Sequence, residues 1–109
     1  LRMLGRFEAA VENDARLSAR QPFSPDAQFQ LGDALLAAGR HEEAARAFGR
    51  ALKLSPANAR FLLHHGFALA QSERFDEAQA SLDRAAALAP EQVAACRRSI
   101  FGERDDAPP

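Results

Sequence analysis

One phrase recurs in this chain at a fixed interval. GRHEEAARAF (residues 39–48) returns thirty-four residues later as ERFDEAQASL (73–82), and is anticipated thirty-four residues earlier by GRFEAAVEND (5–14). Aligned over the whole interval, 25–58 and 59–92 share ten identities: Gly32/Gly66, Ala34/Ala68, Leu35/Leu69, Arg40/Arg74, Glu43/Glu77, Ala44/Ala78, Arg50/Arg84, Ala51/Ala85, Leu54/Leu88 and Pro56/Pro90. Seven of the ten are not alanine, so the match is a true period and not a by-product of an alanine-rich chain. A period of this length restricts the fold sharply. Each unit is one supersecondary element that cannot bury its apolar face alone, so neighbouring units must stack.

Inside each unit the apolar pattern is helical and breaks once. Leu31 and Leu35 lie at i, i+4; after the AAGRH break, Ala44, Phe48, Ala51 and Leu52 fall at i, i+4, i+7, i+8 and form a one-sided stripe on a second helix. Each unit therefore reads as a helical hairpin. Ser24-Pro25 is an N-cap followed by proline at the first helical position, Asn58 caps the next unit, and Pro56 and Pro90 follow the second helices. The spacing predicts helices at about 7–20, 25–38, 42–54, 59–72, 76–88 and 92–101, with no strand. The predicted fold class is all-α: an α-solenoid of stacked antiparallel helical hairpins with a C-terminal capping helix, in which Val93, Cys96 and Ile100 cover the last hairpin.

At these residues the chain resembles the tetratricopeptide repeat (TPR) family. The first unit supplies Leu31-Gly32, Leu35, Ala44, Phe48, Ala51 and Pro56, and the second Leu62, His65-Gly66, Leu69, Ala78, Leu82, Ala85 and Pro90. The departures are Gln28 and His65, where large apolar residues are usual, and Asp14, which stands where Phe48 stands in the next unit. The resemblance covers about residues 5–101. It divides the chain into a domain at 1–101, with a partial unit at 1–24, full repeats at 25–58 and 59–92, a capping helix at about 92–101 and a disordered polar tail at 102–109. Small residues at Gly32, Gly66, Ala44, Ala51, Ala78 and Ala85 are expected to let helices approach closely, with Phe48 and Leu82 filling the space between them. The Glu/Arg spacings on the second helices, Glu42-Arg46 and Glu43-Arg50, read as a solvated face.

The resemblance implies an interaction module that binds a protein or peptide segment, apolar or amphipathic, in a concave groove lined by first helices. On those helices one stripe beside the packing stripe runs Phe29, Asp33, Leu36, and its counterpart runs Leu63, Phe67, Ala70, with Asp26, Arg60 and Gln71 as polar neighbours. The partner-binding candidates are accordingly Phe29, Asp33, Leu36, Arg60, Leu63, Phe67 and Gln71. Two readings stay open for them: contact with a partner, or burial under an adjacent helix. One branch of the family grips a terminal carboxylate with Lys, Arg and Asn at these positions. Phe29, Asp33, Leu63 and Phe67 stand there instead and weigh against such a clamp.

Composition excludes other classes. Fourteen basic and fifteen acidic side chains, interspersed to a formal charge of -1, leave no footprint for nucleic acid or an anionic membrane. No apolar run approaches the roughly 20 residues of a membrane span. The single Cys96 forms no internal disulfide, reads as a small buried hydrophobe, and points with the absent signal-peptide pattern to a cytoplasmic setting. The adjacent His64-His65 diverge on a helix and lack a third ligand, no turn positions a nucleophile, and neither metal, cofactor nor catalysis is expected. The non-Met start and the incomplete first hairpin read as part of a longer parent. A non-catalytic region of a multidomain enzyme such as a transferase, its groove packed on its own parent chain, is thus the alternative reading. An apolar edge of Leu4, Phe7 and Val11 on the first helix predicts self-association.

Overall fold

The computed structural model describes residues 2–101, with side chains over 5–100; the expected disordered tail lies outside the described residues. Six helices follow one another: α1 (Arg2–Arg20), α2 (Pro25–Ala37), α3 (His41–Leu54), α4 (Ala59–Gln71), α5 (Phe75–Ala86) and α6 (Pro90–Phe101), with no strand among the described residues. Each helix packs mainly on its sequence neighbour, and α6 also folds back onto α4. The result is elongated, 50 × 34 × 20 Å, with a radius of gyration of 14.5 Å against about 13 Å for a compact domain of this length.

Local chemistry sets the helix ends. Ser24 Oγ accepts from the Ala27 amide at 3.2 Å and Asn58 Oδ1 from the Phe61 amide at 3.1 Å, so the first helix of each hairpin begins on a side-chain cap. Both first helices end in the same motif: the Arg40 amide donates to Leu35 O and the Arg74 amide to Leu69 O, each at 2.9 Å. That closure places residues 39 and 73 in the left-handed region, Gly39 at φ 81° and Glu73 at φ 64°. Glycine suits the position, and glutamate occupies it at some cost in backbone strain.

The small and large residues of the repeat meet as their spacing implies. A Cβ built on Gly32 would lie 2.6 Å from the Phe48 ring, and one on Gly66 would lie 3.0 Å from Leu82. At Gly32 a side chain would force the Phe48 ring to move, while at Gly66 the fit is tight and Leu82 would have to give by a few tenths of an ångström. Phe48, Leu82, Ala44, Ala51, Ala78 and Ala85 are all fully buried.

The recurring R-x-(E/D)-E phrase has a second role. Arg40 pairs with Glu43 of its own hairpin at 2.6 Å and with Glu8 of α1 at 2.9 Å. Thirty-four residues on, Arg74 pairs with Glu77 at 2.8 Å and with Glu42 of α3 at 2.9 Å. Each arginine thus fastens the turn of its own hairpin to the second helix of the hairpin before it. Such exposed pairs add little stability singly but reinforce the register of the stack. Glu42 and Glu43 of the solvated α3 face therefore pair with Arg74 and Arg40, not with Arg46 and Arg50 of their own helix. Arg50 instead donates from Nε to Gln28 Oε1 at 3.0 Å, so the buried amide at the usual apolar position has its acceptor satisfied across the hairpin.

The first-helix edge also differs from expectation. Val11 is 6% exposed and belongs to the core, Phe7 is half-buried, and the Leu4 side chain lies outside the described residues. α2 packs on α1 and covers Val11, so that residue offers no surface for a second copy.

Candidate functional site

The face shared by the first helices holds a cavity of about 370 Å³ lined by Asp33 and Leu36 of α2, Leu63, His64 and Phe67 of α4, and Cys96 of α6. Its wall is mostly apolar, and its volume falls in the range of ligand-sized pockets. Leu36, Leu63 and Cys96 are partly buried against the core and turn their remaining surface to the cavity. A wider cleft of about 560 Å³ adjoins it, sharing Asp33 and Leu36 and adding Asp14, Gln30, Ala34 and Ala37. In the repeat register Asp14 corresponds to Phe48. A carboxylate therefore stands where the next layer holds a buried ring.

Four of the seven residues singled out from the sequence, Asp33, Leu36, Leu63 and Phe67, meet around this cavity. The others do not. Phe29 is 6% exposed and sits inside an aromatic cluster, stacked on Phe61 at 4.9 Å between centroids and tilted against Phe48 at 5.4 Å. It is a core residue joining α2 to α4, because α4 lies against the stripe that its own helix leaves open. Arg60 caps this cluster, its guanidinium 4.6 Å from the Phe29 ring centroid, a distance suited to cation–π attraction. Gln71 is exposed beside the turn residues Gly39, Arg40 and Glu73, in a separate cleft.

Two lining residues were not among the candidates. His64 Nδ1–H donates to the Arg60 carbonyl, 2.9 Å away, and the ring stands edge-on to Phe29 at 4.8 Å. Its position three residues before Phe67 places it on the same helix face, a signal visible in the sequence. Burial pushes the Cys96 thiol up, with Arg97 partly opposing, so this half-buried side chain serves as an apolar wall. Arg97 pairs with Asp83 and holds α6 against α5.

His65 points away from this cavity, its Nδ1 3.4 Å from Ser81 Oγ, which donates to the Leu62 carbonyl at 3.0 Å. Burial holds its imidazole below the ordinary value; the Glu77 carboxylate opposes this, while Arg74 and Arg84 reinforce it. The unfolded chain takes up this proton near pH 6.5, the folded chain only at lower pH, so stability falls as pH drops through that window. His65→Leu is expected to remove this component. Melting temperatures at pH 7.5 and 5.5 should fall less in the variant than in the natural chain, and parallel falls would exonerate His65.

Tetratricopeptide repeat models match the chain over residues 1–59 and 35–99, each more than half its length. The chain belongs to the tetratricopeptide repeat family. No curated protein matches it. TPR modules generally serve protein–protein contact and are not themselves catalytic. In this TPR chain no group of three or more His, Cys, Asp or Glu side chains is placed to hold a metal ion among the described residues, and no described helix is long and apolar enough to cross a membrane.

Proposed function

We propose that this TPR module binds a protein segment, an amphipathic peptide or helix, by seating an apolar side chain in the cavity between α2, α4 and α6. The observation that carries this reading is the convergence of Leu36, Leu63 and Phe67 from two helices around one open, mostly apolar cavity. Such a pocket is the kind of feature that concentrates binding energy in one or two anchors. The working unit is taken as 1–101, with repeats at 25–58 and 59–92. Cytoplasmic residence agrees with the free cysteine.

Binding is expected at micromolar strength, about -8 kcal/mol, from a helix-in-groove contact. Phe67 is half-buried and lines the cavity, whereas Phe29 is sealed in the core. Phe67→Ala should therefore weaken binding of a Leu-striped amphipathic peptide by about 2 kcal/mol, roughly 30-fold, with little change in melting temperature. Calorimetric titration of the two proteins decides the matter. Unchanged affinity in Phe67→Ala would remove the cavity from the binding site.

A further inference from the structure

Among the described residues, five carboxylates of this chain are matched by arginine across or within its helix contacts. Glu8, Glu42, Glu43, Glu77 and Asp83 each pair with Arg40, Arg74 or Arg97. Asp14 and Asp33 do not: neither has a hydrogen bond or ion pair among the described residues, and both line the cleft that runs into the apolar cavity. Neither the cleft nor the cavity is lined by a lysine or arginine. Arg60 of α4 lines neither and is engaged on the Phe29 ring. Asp14 is partly desolvated, and burial raises its carboxyl above the ordinary value. A carboxylate held this way gains more from an incoming cation than one in open water.

We infer that the segment bound on this face is basic: an amphipathic helix whose apolar anchor enters the Leu36–Leu63–Phe67 cavity while flanking lysines or arginines reach Asp33 and Asp14. The inference rests on the cavity reading above and adds the sign of the partner's charge. The geometry favours one polarity because Asp33 belongs to both depressions. A cation beside the anchor meets Asp33 first, and one further along the cleft meets Asp14. An acidic flank would meet two carboxylates in depressions lined by no lysine or arginine, so the same face discriminates by repulsion.

The test uses three synthetic 18-residue helices with one leucine stripe and flanks of lysine, glutamine or glutamate. The lysine peptide should bind about tenfold tighter than the glutamine peptide, and the glutamate peptide weaker than both. Asp33→Asn, at an exposed position, should weaken the lysine peptide about fivefold and narrow its lead over the glutamine peptide. The gap between peptides should close as salt rises from about 50 mM to about 500 mM. Equal affinities for the three peptides, with amide shifts still at Leu36 and Phe67, would overturn the charge inference and leave the cavity reading standing. A lysine preference that survives in both Asp33→Asn and Asp14→Asn would overturn it as well. Absence of shifts at Leu36 and Phe67 with every peptide would sink both. Sedimentation of the protein alone covers the other occupant: a dimer dissociated by the glutamine peptide would assign this face to a second copy and overturn the inference.

Discussion

Phe48→Ala is expected to destabilise the fold by about 3–5 kcal/mol, a large share of the roughly 5–15 kcal/mol that holds a domain of this size together. The ring is fully buried, rests against the Gly32 backbone, and meets Phe29 at 5.4 Å and His64 at 5.7 Å between centroids. From α3 it thus touches both α2 and α4. Its removal leaves a void at the junction of two repeats, and Gly32 has no side chain with which to fill it. Urea denaturation followed by circular dichroism should show the midpoint collapse with helical content lost cooperatively. A loss below about 1 kcal/mol would mean that the Gly32–Phe48 layer is not what joins the repeats.

Ala44→Leu is expected to cost about 1–3 kcal/mol through overpacking. Ala44 has no exposed surface and lies on the α3 face that packs on α2, where the helix approach set by Gly32 leaves no room for a larger side chain. Ala37→Leu is the control. Ala37 is exposed beside the open cleft, and the same enlargement there should stay within about 0.5 kcal/mol. Equal melting temperatures for the two variants would contradict the assignment of buried and open faces.

The period and the hairpins are legible in the sequence because their causes are local. Ser24 and Asn58 cap the helices that follow them, and Gly39 marks the turn it occupies. The Gly32–Phe48 and Gly66–Leu82 contacts are readable too, because a small residue and a large one recurring at the same spacing on paired helices must face each other for the hairpin to close. Contacts between helices far apart in sequence are less so. Helical spacing shows which residues share a face of one helix and says nothing of what arrives opposite. Phe29 therefore looks open in the sequence, although Phe61, thirty-two residues away, stacks on it. For the same reason Gln28 looks like a flaw until Arg50 is placed beside it, and Glu42 looks like half of an intrahelical pair although Arg74 claims it. His64 shares the Phe67 face in the sequence and Cys96 reads there as a buried hydrophobe, but that the two meet in one cavity wall depends on how α6 folds back onto α4.

The central claim is that a partner segment seats in the cavity between α2, α4 and α6. The most direct measurement is a chemical-shift map of the 15N-labelled chain during titration with the lysine-flanked, Leu-striped peptide. The account predicts saturable shifts clustered at Asp33, Leu36, Leu63, His64, Phe67 and Cys96, with α3 and α5 little changed. Shifts confined to α3 and α5, with those six amides unmoved, would place the binding surface on the second helices and contradict it.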